Sequence, residues 1–313
     1  MPLWQWQESQ KLLRNRTEIL LPEKQKTCKM ILSKITQATQ FLPSLNLTLD
    51  NARFEDFFRS AQEWLVSHII GDDLEETLET EVDMTATDTH EELRRLCQRV
   101  IARKGLLSAI PEVDLQLTEA GFAVQQNEQF TPASAQRVDR LIAELPRKIA
   151  ADADALVRYL MKNSGTNESA YSGWRGTDQF KYLTSAFLPL YEYFNRFAVP
   201  GAESYDEYYD TMPILEEGMR IVADYYVSNE EIDRLLEMYR NGELLDIHQQ
   251  AVNRLSIVAA AARSKDINRA RSAAIRAREI MLSDPDSFPA FKASSAYSAP
   301  TINLDGGKMV NML

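Results

Sequence analysis

The sequence predicts a mainly α-helical fold, a helical bundle with a short β-hairpin or extended segments. Three observations support this fold class. Apolar residues recur at helical spacing along most of the 313 residues, and helix-capping signals precede several of these runs. The eleven Gly and twelve Pro are too few for a β-sandwich with many tight turns. Apolar residues make up 44% of the chain, which is enough for a substantial core.

The first half contains three segments with helical periodicity. Apolar residues recur every three or four positions in Phe54–Ile69 and in Glu91–Gly105. Thr89 and Glu92 form a capping box in front of the second segment. A third helix is predicted over Pro132–Lys162, with a length of about 45 Å at ~1.5 Å per residue. A helix of that length is typical of the spine of a bundle.

The second half begins after the clearest loop of the chain, residues 163–178, which is rich in Gly and small polar residues. We therefore predict an N-terminal half, residues 1–165, and a C-terminal half, residues 166–313. Apolar residues indicate one helix through Phe180–Phe194. The most regular apolar face of the chain lies in Leu244–Ala262.

Extended segments are scarce. Val113–Val124 alternates apolar and polar residues around a Gly, which predicts a strand, a turn and a strand, and Thr301–Val310 has a similar pattern. Because a lone hairpin is marginally stable, we expect these segments to pair with each other or with a neighbouring subunit. The order of helix, acidic turn, helix and extended segment occurs within residues 54–124 and again within 215–310. This repetition suggests an internal duplication.

The sequence contains no pattern that indicates catalysis, a cofactor or a metal. The His-Glu-x-x-His, Gly-x-Ser-x-Gly and P-loop patterns do not occur. The two cysteines, Cys28 and Cys97, form neither a disulfide framework nor a metal-site spacing. His68 and His248 fall on apolar helical faces, where a core histidine is expected. We therefore predict a protein that is not an enzyme and that has no cofactor and no bound metal.

The charge of the chain restricts its partners. The formal net charge is −11, which argues against binding nucleic acid non-specifically over the whole surface. Ten acidic residues and no Lys or Arg lie between Asp72 and Glu92, which favours a solvated loop over a contact surface or a calcium site. The longest wholly apolar run, Ile257–Ala262, is too short to cross a membrane. We expect a soluble chain, made in the cytoplasm, that does not contact membranes.

One predicted helix is basic and is a candidate interface. Arg269 and Arg276 fall on one side of it, and Arg271 and Arg278 fall nearly opposite, on either side of an alanine-rich seam. This arrangement favours a closely packed helix whose arginines meet acidic neighbours. A contact with DNA or with an acidic partner remains the alternative.

Two aromatic segments are further interface candidates. Trp174 and Arg175 lie between glycines in the predicted loop, where an exposed ring could bind a partner and a local anchor is equally consistent with the pattern. Tyr205, Tyr208 and Tyr209 alternate with acidic residues. That stretch is a candidate subunit contact, with a plain loop as the favoured alternative.

Several segments resemble a family of uncharacterised helical proteins from phages and prophages of Bacteroidetes. The resemblance rests on Ala61–Gly71, which reads AQEWLVSHIIG, on Ala109–Val124, which reads AIPEVDLQLTEAGFAV, and on the amphipathic helix from Thr131. It covers residues 50–165 best. Members of that family resemble head–tail connector proteins, also called adaptors, of tailed phages. This chain is about twice the usual size of the small connectors, which the duplication could explain.

The resemblance implies a structural virion protein that joins the portal to the tail. Such a connector forms a homo-oligomeric ring that matches the symmetry of the portal, and it contacts the portal protein and tail proteins. DNA passes through the lumen without specific binding, and the acidic surface is expected to line that path. The alternative is a non-catalytic helical module for protein binding or scaffolding. A helical enzyme is a distant third hypothesis.

Overall fold

The fold is described by a computed structural model that covers most of the chain between residues 30 and 298. The described residues are 30–32, 35–42, 51–81, 90–113, 115–118, 121–124, 135–165 and 171–298. The predicted extended segment Thr301–Val310 and the capping residue Thr89 lie outside them.

Within the described residues, the first half contains five helices and one hairpin. They are α1 (Ile35–Ala38), α2 (Asn51–Leu65) with a π-helical turn at Val66–Ile70, α3 (Asp72–Glu81), α4 (Glu91–Val113), β1 (Leu115–Thr118), β2 (Gly121–Val124) and α5 (Ala135–Asn163).

The second half is helical throughout its described length. After a 3-10 turn at Ser172–Gly176 come α6 (Asp178–Thr184), α7 (Tyr191–Phe197), α8 (Tyr205–Asp224), α9 (Asn229–Asn241), α10 (Asp246–Arg263), α11 (Ile267–Ser283), a 3-10 turn at Pro285–Ser287, α12 (Pro289–Ala293) and α13 (Ser295–Ser298). The protein is therefore mainly α-helical, as the sequence predicts.

Helix α4 is longer than the sequence indicates. The predicted segment stops at Gly105, whereas the helix continues to Val113 and packs between α2 and α5. Gly105 is the point of closest approach, because a Cβ atom there would lie 2.7 Å from the ring of Phe58 and 3.2 Å from the carbonyl oxygen of Phe57. The glycine serves close helix packing here and does not end the helix.

The predicted hairpin is present directly after α4. Strands β1 and β2 pair antiparallel, with Leu115 opposite Val124 and Thr118 opposite Gly121. The acidic segment after α2 differs from the prediction, because Asp72–Glu81 forms helix α3 and not a loop. Acidic residues in the first turn of α3 favour this helix, since negative charge stabilises a helix N-terminus.

The single helix predicted through Phe180–Phe194 is wrong. Two short helices, α6 and α7, replace it, and the chain between them passes through Phe187 with a positive φ of 57° and through Pro189. A proline cannot donate the backbone hydrogen bond that a helix interior requires, and it disfavours helical geometry in the residue before it. The apolar spacing therefore continues through a segment, residues 185–190, in which the helix is interrupted.

Helix α8 begins at Tyr205, ten residues before the pattern that the sequence repeats within 215–310. Ser204 caps its N-terminus by accepting a hydrogen bond from the backbone N–H of Glu207, at 3.2 Å. The helix packs against α5, α6, α7, α9, α10 and α11. It therefore occupies a central position in the second half.

Helices α10 and α11 form an antiparallel pair that buries small residues. The predicted apolar face of α10 is buried, including His248, Leu255 and Val258. The predicted seam of α11 is also buried at Ala270, Ala274, Ala277 and Met281, but Ile267 at its start is 59% exposed.

One hydrophobic core runs through both halves of the chain. Residues of α2 and α4 belong to the same buried cluster as residues of α8 and α10. The order of packing is similar in the two halves, since α2 packs on α4 and α4 on α5, while α8 packs on α10 and α10 on α11. The second extended segment of the predicted duplication, Thr301–Val310, lies outside the described residues, so the duplication stays a prediction, and the two halves share one core.

A first prediction concerns the closest contact between α8 and α10. A Cβ atom at Gly218 would lie 2.3 Å from the Cβ of Ala262, so Gly218→Ala must push the two helices apart. We expect a loss of about 1–3 kcal/mol in the free energy of unfolding, from overpacking that outweighs a helix-propensity gain of up to ~1 kcal/mol.

Urea unfolding followed by circular dichroism measures this loss. Gly176→Ala is the control, because a Cβ atom there meets nothing within 4 Å. A Gly218→Ala protein as stable as the wild type would contradict the close packing.

Candidate functional site

Trp174 and Arg175 are internal anchors, so their predicted role as an exposed interface is wrong. The Trp174 side chain is 1% exposed, and its indole N–H donates to the carbonyl oxygen of Ile69 at 2.6 Å. The Arg175 guanidinium donates to the Ser164 hydroxyl and to the carbonyl oxygens of Arg240 and Met161. A glycine-rich loop is compatible with an exposed partner contact and with an anchor inside the chain. The burial of Trp174 shows that it is an anchor.

The three tyrosines of the acidic aromatic stretch lie in the first two turns of α8. Tyr205 and Tyr208 are buried, and the Tyr208 hydroxyl donates to the carbonyl oxygen of Leu188 at 2.7 Å. These two residues are part of the core, so the prediction of a subunit contact is wrong for them. Tyr209 is half-buried, with its ring centroid 4.4 Å from that of Tyr182 and 4.3 Å from that of His68.

The acidic residues of the same stretch join the two halves of the chain. The Asp206 carboxylate accepts from the indole N–H of Trp64 at 2.6 Å and from the ammonium of Lys104 at 2.7 Å. The Lys104 ammonium also lies 4.3 Å from the centre of the Trp64 ring. Charge-assisted hydrogen bonds of this kind are among the stronger polar contacts in proteins. The start of α8 is thus bound to both α2 and α4.

Two of the four arginines predicted as an interface are also used within the chain. The Arg269 guanidinium donates to the carbonyl oxygen of Phe197 at 2.8 Å, and Arg278 is 7% exposed and donates to the carbonyl oxygen of Ala296 at 3.1 Å. Their predicted interface role is therefore corrected to an internal one. The alanine-rich seam brings α11 so close to its neighbours that flanking guanidinium groups reach backbone carbonyls.

Arg271 and Arg276 are different, because both side chains are exposed on α11. Neither guanidinium forms a hydrogen bond or an ion pair with another described residue. Of the predicted interface residues, these two and part of Tyr209 are accessible to a partner.

A row of exposed apolar side chains on α8 and at its C-cap residue, Tyr225, was not recognised from the sequence. Ile214 is 56%, Ile221 is 68% and Tyr225 is 67% exposed. At 3.6 residues per turn they lie within about 40° of one another on the side facing away from the core. We call these three residues the α8 stripe. The exposed acidic residues Glu217 and Asp224 flank it.

The α8 stripe could have been found from its spacing, since its members are seven and four residues apart. They lie on a second apolar face beside the buried one that contains Leu215 and Met219. Helix α8 therefore has an exposed apolar face in addition to its buried one.

The described histidines are held by structural hydrogen bonds. His248 is buried, and its ring nitrogens lie 2.9 Å from the carbonyl oxygen of Ser287 and 3.3 Å from the backbone nitrogen of Leu245. His90 Nδ1 lies 2.7 Å from the Tyr171 hydroxyl. Within the described part of the chain, no group of three or more His, Cys, Asp or Glu side chains is arranged to hold a metal ion.

A cleft between α5 and α7 has a buried carboxylate, Asp154, at its base. Arg147, Arg158 and Arg196 line this cleft of about 580 Å³, and Glu192 pairs with the last two. At its base the Asp154 carboxylate accepts from the backbone N–H groups of Tyr191 and Glu192, both at 2.8 Å. Burial raises the pKa of Asp154 to about 6 against the lowering effect of these hydrogen bonds.

Comparison with known proteins gives one family match. Residues 60–184 match DUF6712, a family of unknown function. The matched region runs from α2 to α6 and includes Trp64 and Trp174, while the α8 stripe and the basic helix lie outside it. No curated protein and no solved structure matched the chain.

The described helices were also compared with the requirements of a membrane span. None of them combines the length and the apolar character needed to cross a bilayer.

A second prediction concerns the pH dependence that Asp154 creates. Its folded pKa is about 6 against an ordinary value of 3.8, so the folded protein binds the proton more tightly. This contribution to stability is full below about pH 4 and is lost as the pH rises through about 6. The shift corresponds to about 3 kcal/mol in the free energy of unfolding.

Urea unfolding of wild-type and Asp154→Asn proteins at pH 4 and pH 7 tests this effect. From pH 4 to pH 7 we expect the free energy of unfolding of the variant to rise relative to that of the wild type. The loss of the carboxylate acceptor adds a destabilisation of the variant that is the same at both pH values. Asp139→Asn, at an exposed site on the same helix, is the control for removing one carboxylate. A constant difference between Asp154→Asn and wild type at both pH values would contradict the raised pKa.

Proposed function

We propose that this protein is a structural virion protein, a head–tail connector that forms a homo-oligomeric ring between the portal and the tail of a tailed phage. The proposal combines the sequence resemblance with one structural observation, the α8 stripe. The three large apolar side chains, two on α8 and one at its C-cap, lie on one exposed face, while another face of the helix is buried in the core. Burying them against a neighbouring subunit would contribute a hydrophobic term to assembly of about 25 cal/mol per Å² of apolar surface.

The charges around the stripe support a contact between two copies of the chain. Glu217 and Asp224 flank the stripe, and the exposed Arg271 and Arg276 lie on α11, a different surface of the same molecule. The acidic side of the stripe on one copy and an exposed arginine of α11 on the next would form a head-to-tail contact. Contacts of this kind generate closed rings when the rotation between subunits closes.

The charge balance also supports the proposed relation to DNA. With a net charge of −11, the surface that faces the lumen repels phosphate, so DNA would slide through without sticking. The arginines of α11 would then face neighbouring subunits or the portal. In this proposal the protein resides in the virion after synthesis in the host cytoplasm, and the portal and tail proteins are its other partners.

A third prediction tests the α8 stripe directly. Ile221→Glu places a charge in the middle of the stripe, where burial against a neighbour would be costly. We expect the variant to remain folded and to elute as a monomer under conditions where the wild type forms a ring. Size-exclusion chromatography with light scattering, followed by negative-stain imaging, measures both states.

Val199→Glu is the matched control, since Val199 is also 68% exposed but lies outside α8. A wild-type chain that stays monomeric at high concentration would favour the alternative of a protein-binding or scaffold module. If the ring still forms with Ile221→Glu, the α8 stripe is not part of the interface between subunits.

A fourth prediction tests the two exposed arginines of α11, Arg271 and Arg276. The double variant Arg271→Gln/Arg276→Gln removes two exposed charges that pair with no other described residue, so the isolated fold should keep its stability. We expect ring assembly to weaken and to lose part of its salt dependence, because ion pairs between subunits are screened by salt. Light scattering at two salt concentrations measures this.

The outcome that contradicts this role is equally specific. Suppose that the variant assembles like the wild type and that the wild type binds duplex DNA tightly through Arg271 and Arg276. These two arginines would then form a DNA-binding surface and not a subunit contact. Arg137→Gln, at an exposed site on α5, is the control for losing a surface charge.

A further inference from the structure

A second cleft, between the α6–α7 connection and α10, has the composition of a small-molecule site. Its volume is about 510 Å³, within the ~300–1,000 Å³ typical of ligand pockets. Its walls are apolar and aromatic, with a few polar side chains at the rim. The lining residues used below are Phe187, Tyr193, Tyr239, Gln250, Arg254 and Ile257.

Two polar groups of the cleft have no hydrogen-bond partner among the described residues. The half-buried Arg254 is the only charged residue among the described lining residues, and its guanidinium forms no ion pair or hydrogen bond with the described part of the chain. The Tyr239 hydroxyl likewise makes no hydrogen bond within the described residues. Burial raises the pKa of Tyr239, so this hydroxyl remains a donor at neutral pH.

The aromatic wall of the cleft is held in an unusual backbone conformation. Phe187 has a φ of 57°, in the left-handed region that a bulky residue rarely adopts. Its ring packs edge-on against Tyr239, with 5.7 Å between ring centroids. Strained backbone of this kind is concentrated at binding sites, where the surrounding structure holds it in place.

We propose that this cleft binds a small aromatic carboxylate. The ring of the ligand packs against Phe187, Tyr193 and Ile257, and its carboxylate accepts hydrogen bonds from the Arg254 guanidinium. An arginine in a partly buried position without an acidic neighbour in the cleft favours an anion, and its planar guanidinium matches a carboxylate in two hydrogen bonds. The site needs one copy of the chain only, so it is independent of the proposed ring.

The test compares two probes of nearly the same shape, a carboxylate and its neutral amide. Isothermal titration calorimetry of 3-phenylpropionate and 3-phenylpropanamide is carried out with the full chain. We expect the wild type to bind the acid about tenfold more tightly than the amide, the ratio expected for one charge-assisted hydrogen bond over a neutral one. Arg254→Gln should make the two affinities equal by weakening the acid alone.

A second variant keeps the arginine and changes its neighbour. Gln250→Glu places a carboxylate four residues before Arg254 on the same helix face, where it would pair with the guanidinium and compete with the ligand. We expect it to weaken binding of the acid and to leave the amide unchanged. Arg137→Gln, away from the cleft, should behave like the wild type.

Several results would overturn the proposal. They are no measurable binding of either probe to the wild type, equal wild-type affinity for acid and amide, or a preference for the acid that survives Arg254→Gln. A variant that lost its fold would lose the amide as well as the acid, so retained amide binding separates a missing charge from a damaged cleft.

Discussion

The polar junction at the start of α8 is the interaction on which the arrangement of the two halves depends. The Asp206 carboxylate accepts hydrogen bonds from Trp64 of α2 and from Lys104 of α4. This single side chain therefore connects α8 to both helices. One residue further on, Glu207 pairs with Arg263 at the end of α10 at 2.7 Å. The two neighbouring carboxylates therefore contact opposite halves of the chain. The N-terminal end of α8 holds the two halves together beside their shared core.

This junction also determines what the rest of α8 can do. Because its N-terminal turns are fixed in the core, the buried face of the helix is set along Tyr208, Leu215 and Met219. The neighbouring face of the helix then points outward, and it carries the α8 stripe. An apolar row held on a rigid, buried helix differs from scattered surface residues, since it presents a preformed surface at little cost in conformational entropy. That property suits repeated contacts between identical subunits.

The sequence predicted what depends on local periodicity and missed what depends on tertiary contacts. The fold class, the hairpin and the buried face of α10 follow from spacing alone. Trp174 and Tyr208 could not be placed, because aromatic residues between glycines or carboxylates fit a buried anchor and an exposed contact equally well. The periodic segment predicted from the sequence stops at Gly105, whereas the helix continues because a glycine there lets the ring of Phe58 pack closely. The exposure of Arg271 but not Arg278 depends on the helices around α11, which spacing does not encode.

The central claim is that α8 has a second partner, supplied by another copy of the chain. Electron cryomicroscopy of the purified wild-type protein tests it most directly, because a map locates α8 relative to each subunit boundary. The account predicts a closed ring in which Ile214, Ile221 and Tyr225 are buried between neighbours. A monomer, or a ring in which this face of α8 is open to solvent, would contradict it.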